Sequence, residues 1–159
     1  MFLHGLESSG SGFKATYLRK RFPNIITPTF TGELNERMQQ LERLISPRSR
    51  WIFIGSSFGG LMATLFAIRH PAQISRLILL APALLSSIAP SVSIDEKVSV
   101  PMVGILAKYD TILPIIELQR KCEFIFRFYW LYIVEDEHKL ECTTKMINWN
   151  ALVFQSHFR

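Results

Sequence analysis

The chain has 159 residues, of which 48% are hydrophobic, and a formal net charge of +5. This length and apolar content suit one folded domain and exclude a disordered, collagen-like or coiled-coil chain. The longest apolar stretch, residues 77–85, is too short to cross a membrane, and the first residues lack a secretion signal. Basic residues cluster at 14–21 and 48–50 without an aromatic platform or a reading helix. We therefore expect a single domain over residues 1–159, in a cytoplasmic protein without a nucleic-acid partner.

Short apolar runs alternate with amphipathic segments along the chain, which is typical of a parallel sheet covered by helices. The predicted strands are residues 1–3, 25–27, 51–54, 77–80, 102–106 and 129–134. The predicted helices are residues 13–21, 33–45, 58–69, 113–121 and 139–153. Periodicity in the first helix places four basic residues on a solvated face: Lys14, Arg19, Lys20 and Arg21. The sequence thus predicts an α/β fold.

The strongest chemical signal is Gly55-Ser56-Ser57-Phe58-Gly59, a G-x-S-x-G between a buried strand and an amphipathic helix. This context is that of a nucleophile elbow, in which the serine occupies a strained strand-to-helix turn. Small flanking residues are needed there because strand and helix backbones approach closely. The start of the following helix also favours negative charge near Ser57. An ordinary glycine-rich turn is the simpler alternative.

The segment Gly55–Gly60, with the strands on either side of it, resembles the α/β-hydrolase family. His4-Gly5-Leu6 resembles the loop that supplies an oxyanion-hole amide in that family, and this resemblance implies the backbone N–H groups of Leu6 and Phe58 as donors. The run from His4 to Ala15 is similar to small lidless bacterial esterases of the YqiA-like group. The resemblance implies a three-layer fold with about six mostly parallel strands in the order 2-1-3-4-5-6.

A phosphate-binding loop is the rival interpretation of the segment from Gly5 to Lys14. It fails because a P-loop requires glycine, lysine and serine or threonine in sequence, whereas Phe13 separates Gly12 from Lys14. The segment therefore agrees better with the oxyanion loop.

A serine nucleophile needs a general base, and the chain has four histidines. His138 follows the last predicted strand, which places it at the same sheet edge as Ser57. His4, His70 and His157 have structural or terminal positions instead. The chain order of serine, acid and histidine is that of the α/β hydrolases, although Glu137 stands where this family usually has a small residue. We assign the base to His138.

The acid partner in this family follows the strand before the last one. Asp110 has that position, and the family pattern G-x-x-D-x-x-x-P is matched at Asp110 and Pro114, with Ala107 in place of the glycine. Asp95 lies in a polar loop, and Asp136 is too close to His138 in sequence. Asp110 is therefore expected to fix the histidine tautomer and stabilise the imidazolium.

These residues predict hydrolysis of a small carboxylic ester or thioester through an acyl-enzyme intermediate. This chemistry implies no metal or organic cofactor. Cys122 and Cys142 fit no zinc spacing and are expected to be reduced and buried. Residues 84–101 are too few for a cap domain, which favours an open site for short or mid-length acyl groups. Two alternatives remain: a catalytically silent binding protein, or the same triad used for amide or C–C bond cleavage or acyl transfer.

Overall fold

The computed structural model describes residues 1–46, 50–87 and 96–154. The strands are β1 (Phe2–Leu3), β2 (Trp51–Ser56), β3 (Ile74–Leu80), β4 (Met102–Ala107) and β5 (Tyr129–Val134). The helices are α1 (Phe13–Arg21), α2 (Leu34–Leu44), α3 (Phe58–Arg69), α4 (Ile115–Ile125), α5 (Glu141–Met146) and α6 (Trp149–Phe154). All neighbouring strands are parallel, in the order β1-β2-β3-β4-β5. The predicted parallel α/β architecture is confirmed.

The predicted strand at residues 25–27 is wrong, so the described sheet has five strands rather than six. Phe2 N–H donates to Ile26 C=O at 2.9 Å, which places the segment beside the outer edge of β1, where the expected order put it. β1 contributes only two residues to the sheet, and Pro28 comes directly after the predicted strand. A template this short, next to a residue without an N–H donor, does not support a regular ladder.

The predicted C-terminal helix is also divided, because the backbone at Ile147 is extended (φ −59°, ψ 136°). The buried indole of Trp149 donates to Thr144 C=O at 2.8 Å and so satisfies a carbonyl in the last turn of α5. The split lets α6 turn its own face toward the sheet.

The loop that was predicted over residues 84–101 is described only in part. Leu84 is buried in the core, and Val98 forms an isolated bridge with Phe126. Residues 88–95, which include Asp95, lie outside the described residues, as does His157. The described parts of this loop add no cap over the sheet.

Both faces of the sheet are apolar, and helices cover each of them. α2, α3 and α4 pack on one face through side chains such as Met38, Phe66 and Leu118. α1 and α6 pack on the other through Leu18 and Trp149. This burial on both faces explains the continuous apolar runs of β2, β3 and β4. No helix of the described residues is long and apolar enough to span a membrane.

The two cysteines differ in their environment. Cys122 is buried in α4, where burial raises the pKa of its thiol to about 12. Cys142 is exposed on α5, so the expectation that both would be buried is wrong for this residue. Both thiols are free.

The N-terminus of α3 lies in direct contact with the strands beneath it. A Cβ atom at Gly59 would lie 2.1 Å from Leu3 O, and one at Gly55 would lie 2.8 Å from Gly60 Cα. Because these neighbours are backbone atoms, no rotamer change relieves the overlap. The glycines therefore set how closely α3 approaches β1 and β2.

We expect Gly59→Ala to reduce the free energy of unfolding by about 1–3 kcal/mol, because the added methyl group forces α3 away from Leu3. Urea denaturation followed by circular dichroism measures this loss. Gly12→Ala is the matched control, since its Cβ would lie nearest the hydroxyl of exposed Ser8, which can rotate away, and no closer than 3.3 Å to a backbone atom. Equal losses in the two variants would contradict the close contact.

Candidate active site

Ser57 occupies a strained turn between β2 and α3. Its backbone has φ 51° and ψ −114°, a conformation that a residue with a side chain rarely adopts. Hydrogen bonds hold the turn: Ser57 N–H donates to Leu80 C=O at 2.9 Å, and Ser57 C=O accepts from Gly60, Leu61 and Ala83. The turn is therefore fixed by β3 and α3 together, and Ser57 lies at the carboxyl edge of the sheet.

Three side chains from separate loops meet at this edge. Ser57 Oγ–H donates to His138 Nε2 at 2.9 Å, and His138 Nδ1–H donates to Asp110 Oδ2 at 2.7 Å. Ser57 follows β2, Asp110 follows β4, and His138 follows β5. They meet because parallel strands end at one edge of a sheet. The fold therefore brings together Ser57, Asp110 and His138, the three residues that were predicted from the sequence.

The Asp110 carboxylate is nearly fully buried, with 1% of its side chain exposed. Its Oδ1 accepts hydrogen bonds from the backbone N–H groups of Ile112 and Leu113, at 2.8 and 2.9 Å. Oδ2 remains directed at His138. This arrangement keeps a proton on His138 Nδ1 and leaves the Nε2 lone pair facing Ser57.

The loop after β1 contacts the serine from the other side. A Cβ atom at Gly5 would lie 3.5 Å from Ser57 Cβ. Among the described residues, the backbone N–H groups of Leu6 and Phe58 have no hydrogen-bond acceptor. These are the two donors that the resemblance implied for an oxyanion hole.

His4 precedes this loop and serves as a structural hydrogen-bonding residue. Its Nδ1–H donates to Gly5 C=O at 2.7 Å, and its Nε2 accepts from Phe30 N–H at 2.9 Å. The imidazole is buried, and burial lowers its pKa, as does the nearby charge of Arg37. The second hydrogen bond requires the neutral ring, because a protonated Nε2 cannot accept.

Two residues that support the His138 loop were missed in the sequence. Lys14 Nζ donates to Lys139 C=O, directly after the histidine. Lys14 is half-buried, and burial lowers its pKa, whereas the other three basic residues of the predicted solvated face are exposed. No local pattern could have found this contact, because its partners lie 125 residues apart.

The second supporting residue is Asp136. Its Oδ2 accepts from both the N–H and the hydroxyl of Thr143, each at 2.8 Å, and its Oδ1 accepts from Glu137 N–H. Partial burial by itself raises the pKa of Asp136, but these hydrogen bonds outweigh that effect and lower it. The side chain thereby joins the histidine loop to the first turn of α5.

Arg37 packs behind the residue that follows the serine. Its guanidinium carbon lies 5.5 Å from the centroid of the Phe58 ring, within cation–π range. Nε donates to Gly32 C=O at 2.7 Å, whereas buried Nη1 has no hydrogen-bond partner in the described part of the chain. No local pattern in the sequence indicates this contact between α2 and α3.

A cavity of about 510 Å³ lies elsewhere, at the opposite edge of the sheet. Met1, Ile25, Ile52 and Phe154 line it, and two of these stand at the amino ends of β1 and β2. The cavity is therefore separate from the Ser57 site. Within residues 1–46, 50–87 and 96–154, no cluster of three His, Cys, Asp or Glu side chains could hold a metal ion.

Comparisons with known proteins agree with this architecture. A family model described as the alpha/beta hydrolase fold matches residues 4–113. No curated protein sequence matches the chain.

Several solved structures share the fold. A protein described as a hydrolase of the α/β superfamily, from Xanthomonas campestris pv. campestris, is 22% identical with a TM-score of 0.76, over 91% of this chain and 90% of that one. Est1E from Butyrivibrio proteoclasticus, with ferulic acid bound, is 14% identical with a TM-score of 0.70, over 95% and 86%. A pyrethroid hydrolase from Sphingobium faniae is 14% identical with a TM-score of 0.67, over 96% of both.

Because burial lowers the pKa of His4, we expect the free energy of unfolding to fall as the pH drops below about 6.5, the ordinary pKa of histidine. The unfolded chain binds a proton in that range that the folded chain, with its lowered His4 pKa, does not bind. Urea denaturation between pH 8 and pH 5 measures the slope, and His4→Gln should flatten it. Measurement at pH 8, where the histidine is neutral in both states, is the control. An unchanged slope in the variant would refute this assignment.

Proposed function

Since this chain belongs to the alpha/beta hydrolase fold family, we propose that it is a serine hydrolase that cleaves a small carboxylic ester or thioester. The observation that carries the proposal is the continuous hydrogen-bonded series from Ser57 through His138 to Asp110. In this arrangement the hydroxyl has a base beside it, and the base has a buried carboxylate behind it. The series contains all three residue types of a Ser-His-Asp triad.

In the acylation step, Ser57 Oγ attacks the acyl carbon while its proton passes to His138 Nε2. Asp110 stabilises the resulting imidazolium through the Nδ1–H hydrogen bond. The N–H groups of Leu6 and Phe58 bind the developing oxyanion. Because they already lack acceptors, they need not break a protein hydrogen bond to do so.

The tetrahedral intermediate then collapses, and the proton on His138 Nε2 moves to the departing alcohol or thiol. Water enters, and His138 removes its proton as it attacks the acyl-enzyme. A second tetrahedral intermediate releases the carboxylic acid and returns the proton to Ser57 Oγ. Each step uses only groups of this chain, water and the substrate.

Two structural relatives support carboxylic ester chemistry. One is named as a pyrethroid hydrolase, and the other was solved with ferulic acid, a carboxylic acid, bound to it. The run from His4 to Ala15 further supports membership of the small lidless YqiA-like esterases, as a single domain. A site without a large cap suits short or mid-length acyl groups.

One test of this proposal concerns the nucleophile. We expect wild-type protein to turn over p-nitrophenyl acetate and butyrate repeatedly, and Ser57→Ala to lose at least about a thousandfold in kcat, because no neighbouring group replaces Oγ. Ser56→Ala is the matched control, since it removes the adjacent serine hydroxyl and preserves the G-x-S-x-G pattern. It should retain activity.

A fluorophosphonate probe separates turnover from binding. It should label wild type and Ser56→Ala but leave Ser57→Ala unmodified. Labelling without ester hydrolysis would move the assignment to amide or C–C cleavage or to acyl transfer. Absence of labelling in folded wild type would indicate a silent binding protein and overturn the proposal.

Another test of this proposal concerns the acid. Asp110→Asn presents an amide donor to Nδ1, which favours the histidine tautomer with its proton on Nε2, where it cannot accept from Ser57. We expect kcat for p-nitrophenyl butyrate to fall by roughly ten-thousandfold, with little change in stability. Glu137→Gln is the control, because this exposed carboxylate precedes His138 without bonding to it. A loss of similar size in both variants would show a general charge effect instead.

A further inference from the structure

The outer edge of β5 is unusually apolar for a surface. The strand has the sequence Tyr-Trp-Leu-Tyr-Ile-Val, yet Trp130 is 51% and Ile133 is 53% exposed. β2, β3 and β4 bury most of their residues, whereas most of those in β5 face solvent. Soluble proteins ordinarily protect an edge strand with lysine, proline or another charge, and β5 contains none of these.

The backbone of β5 also presents free hydrogen-bonding groups. Met102 and Lys108 N–H donate to the carbonyls of Phe128 and Val134, so the even-numbered residues turn their peptide groups toward β4. Peptide groups alternate sides along a strand, and the odd-numbered residues therefore face outward. These residues are Tyr129, Leu131 and Ile133. No other segment of the described residues pairs with this edge.

The exposed edge is complementary to itself. In an antiparallel pair centred on Leu131, Tyr129 of one strand faces Ile133 of the other, and all three outward residues are used. Each such pair exchanges two hydrogen bonds, which gives about six in all. Trp130 then lies opposite Tyr132 on one face of the sheet, a favourable aromatic cross-strand pair.

Charge selects the antiparallel direction. Arg127 and Glu135 lie four residues before and after Leu131, and both are exposed. Both residues lie just outside β5, and Arg127 N–H donates to Val98 C=O, so their side chains rather than their peptide groups would meet across the pair. Antiparallel pairing brings Arg127 of one copy toward Glu135 of the other, beyond both ends of the paired strands. Parallel pairing would instead place Arg127 beside Arg127. Glu135 also bonds to Lys108 at 2.9 Å, but 72% of its side chain remains exposed for a second partner.

We propose that this protein forms a two-fold symmetric dimer in which the β5 strands of two copies pair antiparallel across Leu131. The five-stranded sheets join into one continuous sheet, and the same surface serves both copies. Pairing covers exposed side chains on both faces of the edge, including Tyr132 on one and Ile133 on the other.

The dimer leaves the two Ser57 sites independent. Each histidine loop follows the carboxyl end of its own β5, and antiparallel pairing places the two carboxyl ends at opposite ends of the interface. Ester turnover per chain should therefore not depend on dimerisation. The oligomeric state can be tested whether or not the proposed hydrolase activity is correct.

Sedimentation equilibrium of the full chain, from about 1 to about 100 µM, tests the dimer over a range of moderate affinities. We expect twice the chain mass of 18.3 kDa at the upper concentrations. Arg127→Glu alone and Glu135→Arg alone should each weaken the dimer about tenfold or more, because each places two like-charged pairs across the interface. The double variant Arg127→Glu with Glu135→Arg should restore most of the affinity.

Circular dichroism should show that Arg127→Glu is folded, and p-nitrophenyl butyrate turnover equal to that of wild type is a second check if the proposed activity is correct. Ile133→Lys provides a second disruption, by placing a charge on the apolar edge without altering the β4 ladder. A monomeric wild type at all concentrations would overturn the proposal. So would a dimer that neither Arg127→Glu nor Ile133→Lys weakens, or a double charge exchange that fails to restore association.

Discussion

The arrangement of the elements around the site depends on the backbone conformation of Ser57. A serine at φ 51° persists only because β3, α3 and the segment after β3 all bond to its peptide groups. α3 must then begin directly above the sheet, and only glycine at position 59 fits against Leu3 O. The same turn leaves Phe58 N–H without an acceptor in the described part of the chain and places the hydroxyl at the carboxyl edge of the sheet. Backbone strain at one residue is thus linked to helix position, glycine placement and the availability of a hydrogen-bond donor.

The remaining site residues depend on the parallel topology rather than on their own neighbours in sequence. Asp110 and His138 meet Ser57 because β2, β4 and β5 all end at one edge. The geometry within that edge is set by further contacts: two backbone N–H groups on Asp110, Thr143 on Asp136, and Lys14 on the carbonyl after His138. Such contacts restrict the rotamers and loop positions that a proton transfer requires. Substituting them would alter geometry before it altered chemistry.

The exposed edge of β5 is unusual in a sheet whose central strands are covered on both faces. In a monomer this edge exposes aromatic side chains and unpaired peptide groups together, which is a combination that promotes association. A specific dimer would use these groups in a defined register and thereby prevent irregular association.

Local sequence patterns were enough to predict most of the strands and helices and to select Ser57, Asp110 and His138 as candidate site residues. Buried strands, amphipathic helices and the G-x-S-x-G turn are local patterns, and periodicity or a motif is enough to find them. The tertiary structure was needed to show that residues 25–27 form no strand, that Lys14 bonds to Lys139 C=O, and that Arg37 lies over the Phe58 ring. These outcomes depend on which distant segments the topology brings together and on how short β1 is. Neither property is encoded in a window of neighbouring residues, because packing between remote segments is decided by the whole fold.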